Sequence, residues 1–376
     1  MRIVFWQHII SMIDLPYIVG VAKDPRVSEV VVIGNEILKE RKEMGWDANI
    51  PGIENCKVYT NVSENQMQEI LKDNPDKSFH VFTGLNVYKH VHKAFLASLN
   101  YPVHRAFISE RPLTYALGYD WLKPLWLHKL RFLLRNKKYM KYIDCVFEIG
   151  KESSNYYEYI TNKWKVYPFC YCTRHSASQG TTQLNSPKVN IIYVGSLCLR
   201  KSVKTILEAN KLLIERGMGA HLSISIIGDG KKRKNLEGYV LKNNISNVSF
   251  YGNLPNIKVL DILKNNDILI LPSIHDGWGA VINEALQLGL YVFCSDRCGA
   301  KELIKDDTIG KVFKVGDSYQ LSLYIEEAIS SINKIRNNNY QRMRWANDTI
   351  DGLVVGKYII DCLLGLECHA PWQKNI

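Results

Sequence analysis

Short runs of adjacent apolar residues, most of them β-branched or aromatic, alternate along this chain with longer stretches whose apolar positions recur every three or four residues. In the first half the short runs are Arg2–Trp6, Val30–Ile33, Ser78–Thr83, Arg105–Ser109 and Cys145–Ile149, and they close on Gly, Ser or Glu. In the second half they are Asn190–Val194, Leu222–Ile227, Val248–Phe250, Ile268–Leu271 and Tyr291–Cys294. Strands that are apolar on both sides belong to parallel sheets covered by helices on both faces. The intervening periodic stretches predict helices over Val203–Arg216, Asn256–Asn265 and Val281–Leu288, the last stopped by Gly289, and a final one over Asp351–Leu366. Between the halves, Thr173–Lys188 has almost no large apolar residue and is rich in Ser, Thr and Gln. Such a stretch cannot bury itself and reads as a connection.

The pattern therefore predicts an α/β protein made of two Rossmann-like, doubly wound domains, over residues 1–172 and 189–350, with a linker over 173–188. The helix within 351–376 can pack back on the first domain. Open parallel sheets bind ligands beyond the carboxyl ends of their strands. Functional residues are expected just after the strands, toward a cleft shared by the two sheets.

Composition narrows the function. The chain has 376 residues, enough for two or three domains. With 46% hydrophobic and 23% charged residues it can bury a sizeable core. Lys and Arg number 48 against 37 Asp and Glu, a net charge of +11 that favours an anionic partner. Zinc-finger spacing, an aromatic RNA-binding strand and a basic heptad region are all missing, which argues against nucleic acid. No run of 18 apolar residues occurs, and the opening MRIVFWQHII reads as a buried strand rather than a signal peptide. The nine cysteines form no CxxC pair and read as free thiols in a reducing, cytoplasmic compartment.

Candidate chemistry follows the strands of the second half. In LPSIHDGWGAVINEA, a strand ending at Leu271 leads to a loop with Asp276, Gly277, Trp278 and Gly279, then to a helix that begins near Ala280 and Val281 and carries Glu284. Two glycines admit a ligand close to the backbone, and the start of a helix offers unpaired N–H groups to phosphate or sugar oxygens. As helix, the eight residues from Asp276 to Glu284 would span about 12 Å, beyond the roughly 5–9.5 Å of a hydrolase pair. That disfavours hydrolysis and favours separate duties for the two carboxylates. In IIYVGSLCLRKSVK, a strand ends at Gly195 and Ser196, and Arg200 and Lys201 follow; fixed cations there suit a diphosphate. Gly228, Asp229 and Gly230 follow the next strand, and Gly252 the one after.

These segments resemble the carboxyl-terminal domain of the retaining GT-B glycosyltransferases of family 4, the glycosyl transferases group 1. Gly195, Leu197 and Lys201 match the family's first loop, Gly228–Asp229–Gly230 its second, and Asp276 with Glu284 its paired-carboxylate motif, with DGWG where EGFG is common. Ser295, Gly299, Ala300 and Glu302 resemble the following loop, and Gly310 with Gly316–Asp317 the end of the domain. The likeness runs from about Asn190 to Asp317. It implies the GT-B fold, with two Rossmann-like domains about a central cleft, and transfer of a hexose-type sugar from a nucleotide diphosphate sugar with retention of configuration. Lys201, with Arg200 beside it, would neutralise the diphosphate, Glu284 would bind the ribose hydroxyls, and Asp276 with the backbone of Gly277, Trp278 and Gly279 would hold the donor sugar. A fixed cation aimed at the departing diphosphate contributes on the order of 3 kcal/mol by analogy with other such groups. Ser196 stands where the family has arginine, and Asp276 is one methylene shorter than the usual glutamate. The chain has no Asp-x-Asp sequence, so no metal or other cofactor is expected.

In this architecture the amino half takes the acceptor, expected to be a glycan or glycolipid. Gln7, His8, Thr83, Gly84, Glu110 and Arg111 follow its strands, and His8 and Glu110 are the acceptor-side candidates for catalysis. Between Asp120 and Asp144 the chain carries Lys123, Lys129, Arg131, Arg135, Lys137, Lys138 and Lys141 and no acidic residue. Read as a helix, Trp126, Leu130, Leu133 and Met140 share one face and Arg131, Arg135 and Lys138 the other. Residues 121–143 thus fit an anionic membrane surface, and equally an ordinary surface helix. The product expected is a surface polysaccharide or lipopolysaccharide glycan built on a lipid-linked acceptor, with the enzyme peripheral on the inner face of the cytoplasmic membrane. A nucleotide-sugar epimerase of the same fold and a catalytically silent sugar-binding scaffold subunit stand as alternatives.

Overall fold

The structure is a computed structural model that describes residues 1–37, 53–110, 125–150, 156–173 and 186–373. The described residues form two compact units, one from residues 1–173 with 349–373 and one from residues 186–348. Most of the predicted connection, residues 174–185, lies outside the described residues, as do Arg111 and Lys123.

The first unit is built on β1 (Arg2–Ile9), β2 (Glu29–Asn35), β3 (Cys56–Thr60), β4 (Ser78–Thr83), β5 (His104–Glu110), β6 (Cys145–Ile149) and β7 (Lys165–Phe169). Among the described residues these make a wholly parallel sheet of order β3-β2-β1-β4-β5-β6-β7. Its helices are α1 (Leu15–Lys23), α2 (Glu64–Lys72), α3 (Lys89–Ser98), α4 (Leu125–Asn136) and α5 (Tyr156–Ile160). The second unit has β8 (Val189–Val194), β9 (Leu222–Ile227), β10 (Val248–Gly252), β11 (Ile268–Leu271), β12 (Tyr291–Ser295) and β13 (Gly310–Phe313). They lie in the order β10-β9-β8-β11-β12-β13, again parallel. Helices α6 (Lys204–Glu215), α7 (Arg233–Lys242), α8 (Asn256–Leu263), α9 (Val281–Gln287), α10 (Ser318–Ser330), α11 (Ile332–Asn337) and α12 (Asn339–Ile350) accompany them. These are two Rossmann-like units, as the alternation of runs predicts.

Every predicted strand forms. Three that lack a continuous apolar run also form: β3, β7 and β13, each at the edge of its sheet. An edge strand is covered less completely, and CKVYT and KVYPF keep exposed or half-exposed positions along most of their length. Pro168 sits in β7, where its missing N–H costs no ladder bond on the open side. The first strand also runs further than its apolar core. β1 continues to Ile9 through a register shift after Trp6, so Gln7 and His8 lie within the strand and not in the loop after it.

The last helix, α13 (Gly352–Leu363), returns to the first unit and crosses α1 at very close range. A Cβ on Gly20 would come within 2.0 Å of the Gly352 carbonyl oxygen, and one on Gly356 within 2.5 Å of the Gly20 backbone. Beyond the glycines, Arg26 bonds Asp361 at 2.6 Å and the Tyr358 hydroxyl donates to the Pro168 carbonyl at 3.0 Å. Val355, Ile359 and Ile360 are fully buried.

The basic segment departs from the single-helix reading. Helix α4 ends at Asn136 and a separate 3-10 turn covers Met140–Tyr142, so one helical period does not run through both. Met140 is buried, and Phe132 and Leu133 pack against the core of the first unit. Trp126 and Leu130 are 59% and 47% exposed, so they do not share the inward face with Leu133. They stand outward with Leu127 and Leu134, among the exposed Arg131 and Arg135. No helix among the described residues is long and apolar enough to cross a membrane.

Candidate functional site

In the second sheet the strand order reverses between β8 and β11, the position at which doubly wound sheets open to a ligand. Lys201 follows one of these strands; Asp276 and Glu284 follow the other. The loops are tied to one another through their backbones. The Gly195 N–H donates to Ile227 O at 3.0 Å, Leu197 N–H to Asp229 O at 2.8 Å, and Gly228 N–H to Gly252 O at 2.8 Å. Glycine is required at 228 on two counts. Its φ is +126°, and a Cβ there would lie 2.0 Å from the Gly195 carbonyl oxygen. Close stacking of the first two loops fixes the floor under Ser196, which is itself exposed.

Lys201 ends a 3-10 turn, Leu199–Lys201, and its ammonium donates to the Asp276 carboxylate. Both side chains are largely shielded, at 14% and 13% exposure. The Ser273 hydroxyl donates to Asp276 Oδ2 at 3.3 Å. Arg200, more exposed, donates to the His275 carbonyl at 2.8 Å and stands 3.7 Å from Asp276 Oδ1. Two cations thus share one carboxylate, which leaves a net positive cluster at the strand ends. An incoming diphosphate would meet cations already held in place.

The loop carrying Asp276 is clamped from the far side. Asp276 N–H donates to Arg297 O at 3.2 Å, Gly299 N–H to Asp276 O at 3.0 Å, and Ala300 N–H to Trp278 O at 2.9 Å. Gly299 makes room for this, since a Cβ there would meet the Gly277 carbonyl at 2.0 Å. The Trp278 side chain is buried, and its indole N–H donates to Asn283 Oδ1 at 2.7 Å. Its side chain anchors the loop on α9, and the residue as a whole is 1% exposed with its carbonyl held by the Ala300 N–H, so the expected contact of the Trp278 backbone with a donor is closed off. Gly277, Gly279 (φ +103°), Ala280 and Val281 lead from the loop into that helix.

Glu284 lies on the first turn of α9, and burial pushes its carboxyl up to about 7, opposed by a hydrogen bond from Asn256. Asn256 Nδ2 donates to Glu284 Oε1 at 3.3 Å. Asn256 opens α8, which precedes β11 in the chain whereas Glu284 follows it, and no motif spacing marks it. Ser273 is likewise unmarked. Among the described residues no three metal-ligating side chains gather into one group.

In the first unit the strand order reverses between β1 and β4, and here too the polar groups collect. The Thr83 hydroxyl donates to Gln7 Oε1, Gln7 Nε2 donates to Tyr17 Oη at 3.2 Å, and Tyr17 donates to Asp14 Oδ1 at 2.9 Å. Burial raises the Asp14 carboxyl to about 6. The His8 ring stacks on Tyr88 at 3.9 Å between centroids, with His90 at 5.6 Å. Glu110 ends β5 and accepts from the Tyr171 hydroxyl at 3.3 Å. His8 and Glu110 are therefore both held by aromatic neighbours at strand ends of this sheet. The buried Asp14 and Tyr17 and the half-buried Tyr171 are partners that strand-end reasoning does not find.

Residues 177–344 match the family model described as Glycosyl transferases group 1, so the second unit carries a domain of that kind. The uncharacterized glycosyltransferase MJ1178 of Methanocaldococcus jannaschii is 26% identical over 140 residues, which are 37% of this chain and 38% of that protein. The chain therefore spans well under half the length of the curated relatives it matches. Among solved structures, HepE of Anabaena in complex with UDP superposes with a TM-score of 0.70 at 14% identity, over 97% of this chain and all of that one. The lipopolysaccharide outer core galactosyltransferase WaaB gives a TM-score of 0.65 at 16% identity, over 97% of this chain and 99% of that one. The fold is that of the GT-B glycosyltransferases.

Proposed function

We propose that this protein is a retaining, metal-independent glycosyltransferase that moves a hexose-type sugar from a nucleotide diphosphate sugar to a lipid-linked glycan acceptor. The observation that carries the proposal is the cluster at the β8–β11 reversal: Lys201 and Arg200 converge on Asp276, and Glu284 stands on the next turn. The matched family model over the same residues supports it, and so does the UDP held by the structural neighbour HepE.

In this mechanism the bond between the anomeric carbon and the diphosphate oxygen breaks as the acceptor hydroxyl bonds to the same carbon from the same face. The hydroxyl proton leaves with the departing diphosphate. Lys201 and Arg200 balance the charge that grows on that leaving group, in a setting where no reorientation is needed at the moment of reaction. Asp276 orients Lys201 in the free protein and the donor sugar in the bound one. Glu284 receives the ribose hydroxyls. His8 and Glu110 serve the acceptor side from the first unit.

The acceptor class rests on WaaB, a lipopolysaccharide galactosyltransferase, and on the charge of α4. Its outward Trp126, Leu127, Leu130 and Leu134, interspersed with Arg131 and Arg135, suit the anionic inner face of the cytoplasmic membrane. Such a position would bring the enzyme to a lipid-linked glycan.

A thermal-shift panel with UDP, GDP, ADP and CMP tests the donor site. A ligand at 100 times its dissociation constant stabilises by about 2.7 kcal/mol, and Lys201→Ala should abolish the response to the one that binds. No response of the native protein to any of the four would overturn the reading.

A further inference from the structure

Glu284 is the carboxylate assigned to the ribose, yet its geometry is set by a residue of another element. Asn256 lies at the first position of α8, in the segment that follows β10, while Glu284 lies on α9 after β11. The two are 28 residues apart in the chain, and the amide donates to Oε1 at 3.3 Å. The cations of the neighbouring loop do not serve this carboxylate: Lys201 and Arg200 are turned to Asp276. Burial and the Asn256 amide are the influences that act on Glu284, and they oppose each other.

We propose that Asn256 is a positioning residue for the donor nucleoside: it holds one oxygen of Glu284 as an acceptor of its own amide and leaves the other aimed at the ribose diol. A hydrogen bond to the charged form of a carboxylate favours that form. Asn256 therefore lowers the pH at which Glu284 ionises and becomes able to accept from two hydroxyls, against the burial that raises it. Loss of the amide allows the carboxyl to rotate and to retain its proton. The inference rests on the donor-site reading.

The test is titration calorimetry of UDP into the native protein, Asn256→Ala, Glu284→Gln and the double variant, at pH 6.5 and pH 8.5. The expected result is a 3- to 10-fold weaker affinity for Asn256→Ala at pH 6.5 that closes to within twofold of native at pH 8.5. In the Glu284→Gln background Asn256→Ala should add nothing, and the pH dependence should disappear. An equal loss at both pH values would reveal a merely structural role for α8, and no loss at either would remove Asn256 from the site. A loss that persists in the Glu284→Gln background would sever it from Glu284. Circular dichroism of each variant separates misfolding from these outcomes. If native protein binds neither UDP nor GDP, ADP or CMP, the donor site itself is wrong, a different failure from any of these.

Discussion

At the scale of single residues, the second unit places its charges unevenly. Lys201 and Arg200 share the one Asp276 carboxylate, whereas Glu284 faces burial with one neutral donor. A carboxyl whose folded value is raised from 4.5 to about 7 makes the folded state hold a proton that the unfolded state has released between those values. Stability contributed by the protonated group is thus full below the unfolded value and is lost as pH rises toward 7. Glu284→Gln removes that loss. The variant should unfold at the same temperature as native at pH 4.5 and at a higher one at pH 8, the difference amounting to on the order of 1 to 3 kcal/mol. Calorimetric melting at the two pH values, without ligand, checks it. A variant less stable than native at pH 8 would contradict the assignment. Lys201, Asp276 and Glu284 were all legible as sequence, because each stands at a fixed step from a glycine-bearing strand end. Asn256, Ser273, Asp14 and Tyr171 were not, because what makes them partners is a side-chain approach across elements, and no spacing encodes that.

At the scale of elements, the closest contact in the first unit is the crossing of α1 and α13, where backbone meets backbone. A methyl group at Gly20 would press on the Gly352 carbonyl, which cannot yield without parting the helices. Gly20→Ala should cost about 1–3 kcal/mol. The comparison is Gly238 on α7, where a Cβ meets nothing within 4 Å. Gly238→Ala should stabilise by roughly 0.5–1 kcal/mol, since it only restricts the unfolded chain. Urea denaturation of both variants tests the pair, and opposite signs are expected. Most of the ten predicted strands lie inside their sheets and read as apolar runs; β10, at an edge, was legible from Val248 and Phe250 although Ser249 and Tyr251 are exposed. The edge strands β3, β7 and β13 escaped that test because one side of an edge is open, and Gln7 and His8 fell inside β1 because pairing to β2 extends the strand past its apolar stretch. Helix α13 was predicted, but its partner was not, since glycines in a helix register only as weak points until a second helix lies against them.

At the scale of the whole molecule, the net charge of +11 includes two separate groups of cations. Arg200 and Lys201 lie at the strand ends of the second unit, and the cations of α4 and the turn after it lie on the surface of the first. Binding to vesicles of anionic phospholipid should therefore weaken steeply with salt, and a variant with Arg131, Arg135 and Lys138 changed to Gln should lose about 1 kcal/mol per charge, roughly a hundredfold together. Its thermal response to UDP should stay native. Cosedimentation at low and at physiological salt provides the measurement, and equal binding by native and variant would dismiss the surface.

The sequence alone determined that there are two parallel α/β units and which strand ends carry glycines and charged side chains, because burial on both faces writes itself as unbroken apolar runs and close loop packing demands glycine at fixed steps. Only the tertiary structure decided that Lys201 pairs with Asp276, that Trp278 turns inward to Asn283, that Asn256 reaches Glu284 and that α13 closes on α1. Those are contacts between residues from about 5 to more than 300 positions apart. They depend on which element lies beside which, and on the direction each side chain takes, and neither quantity is periodic along a chain.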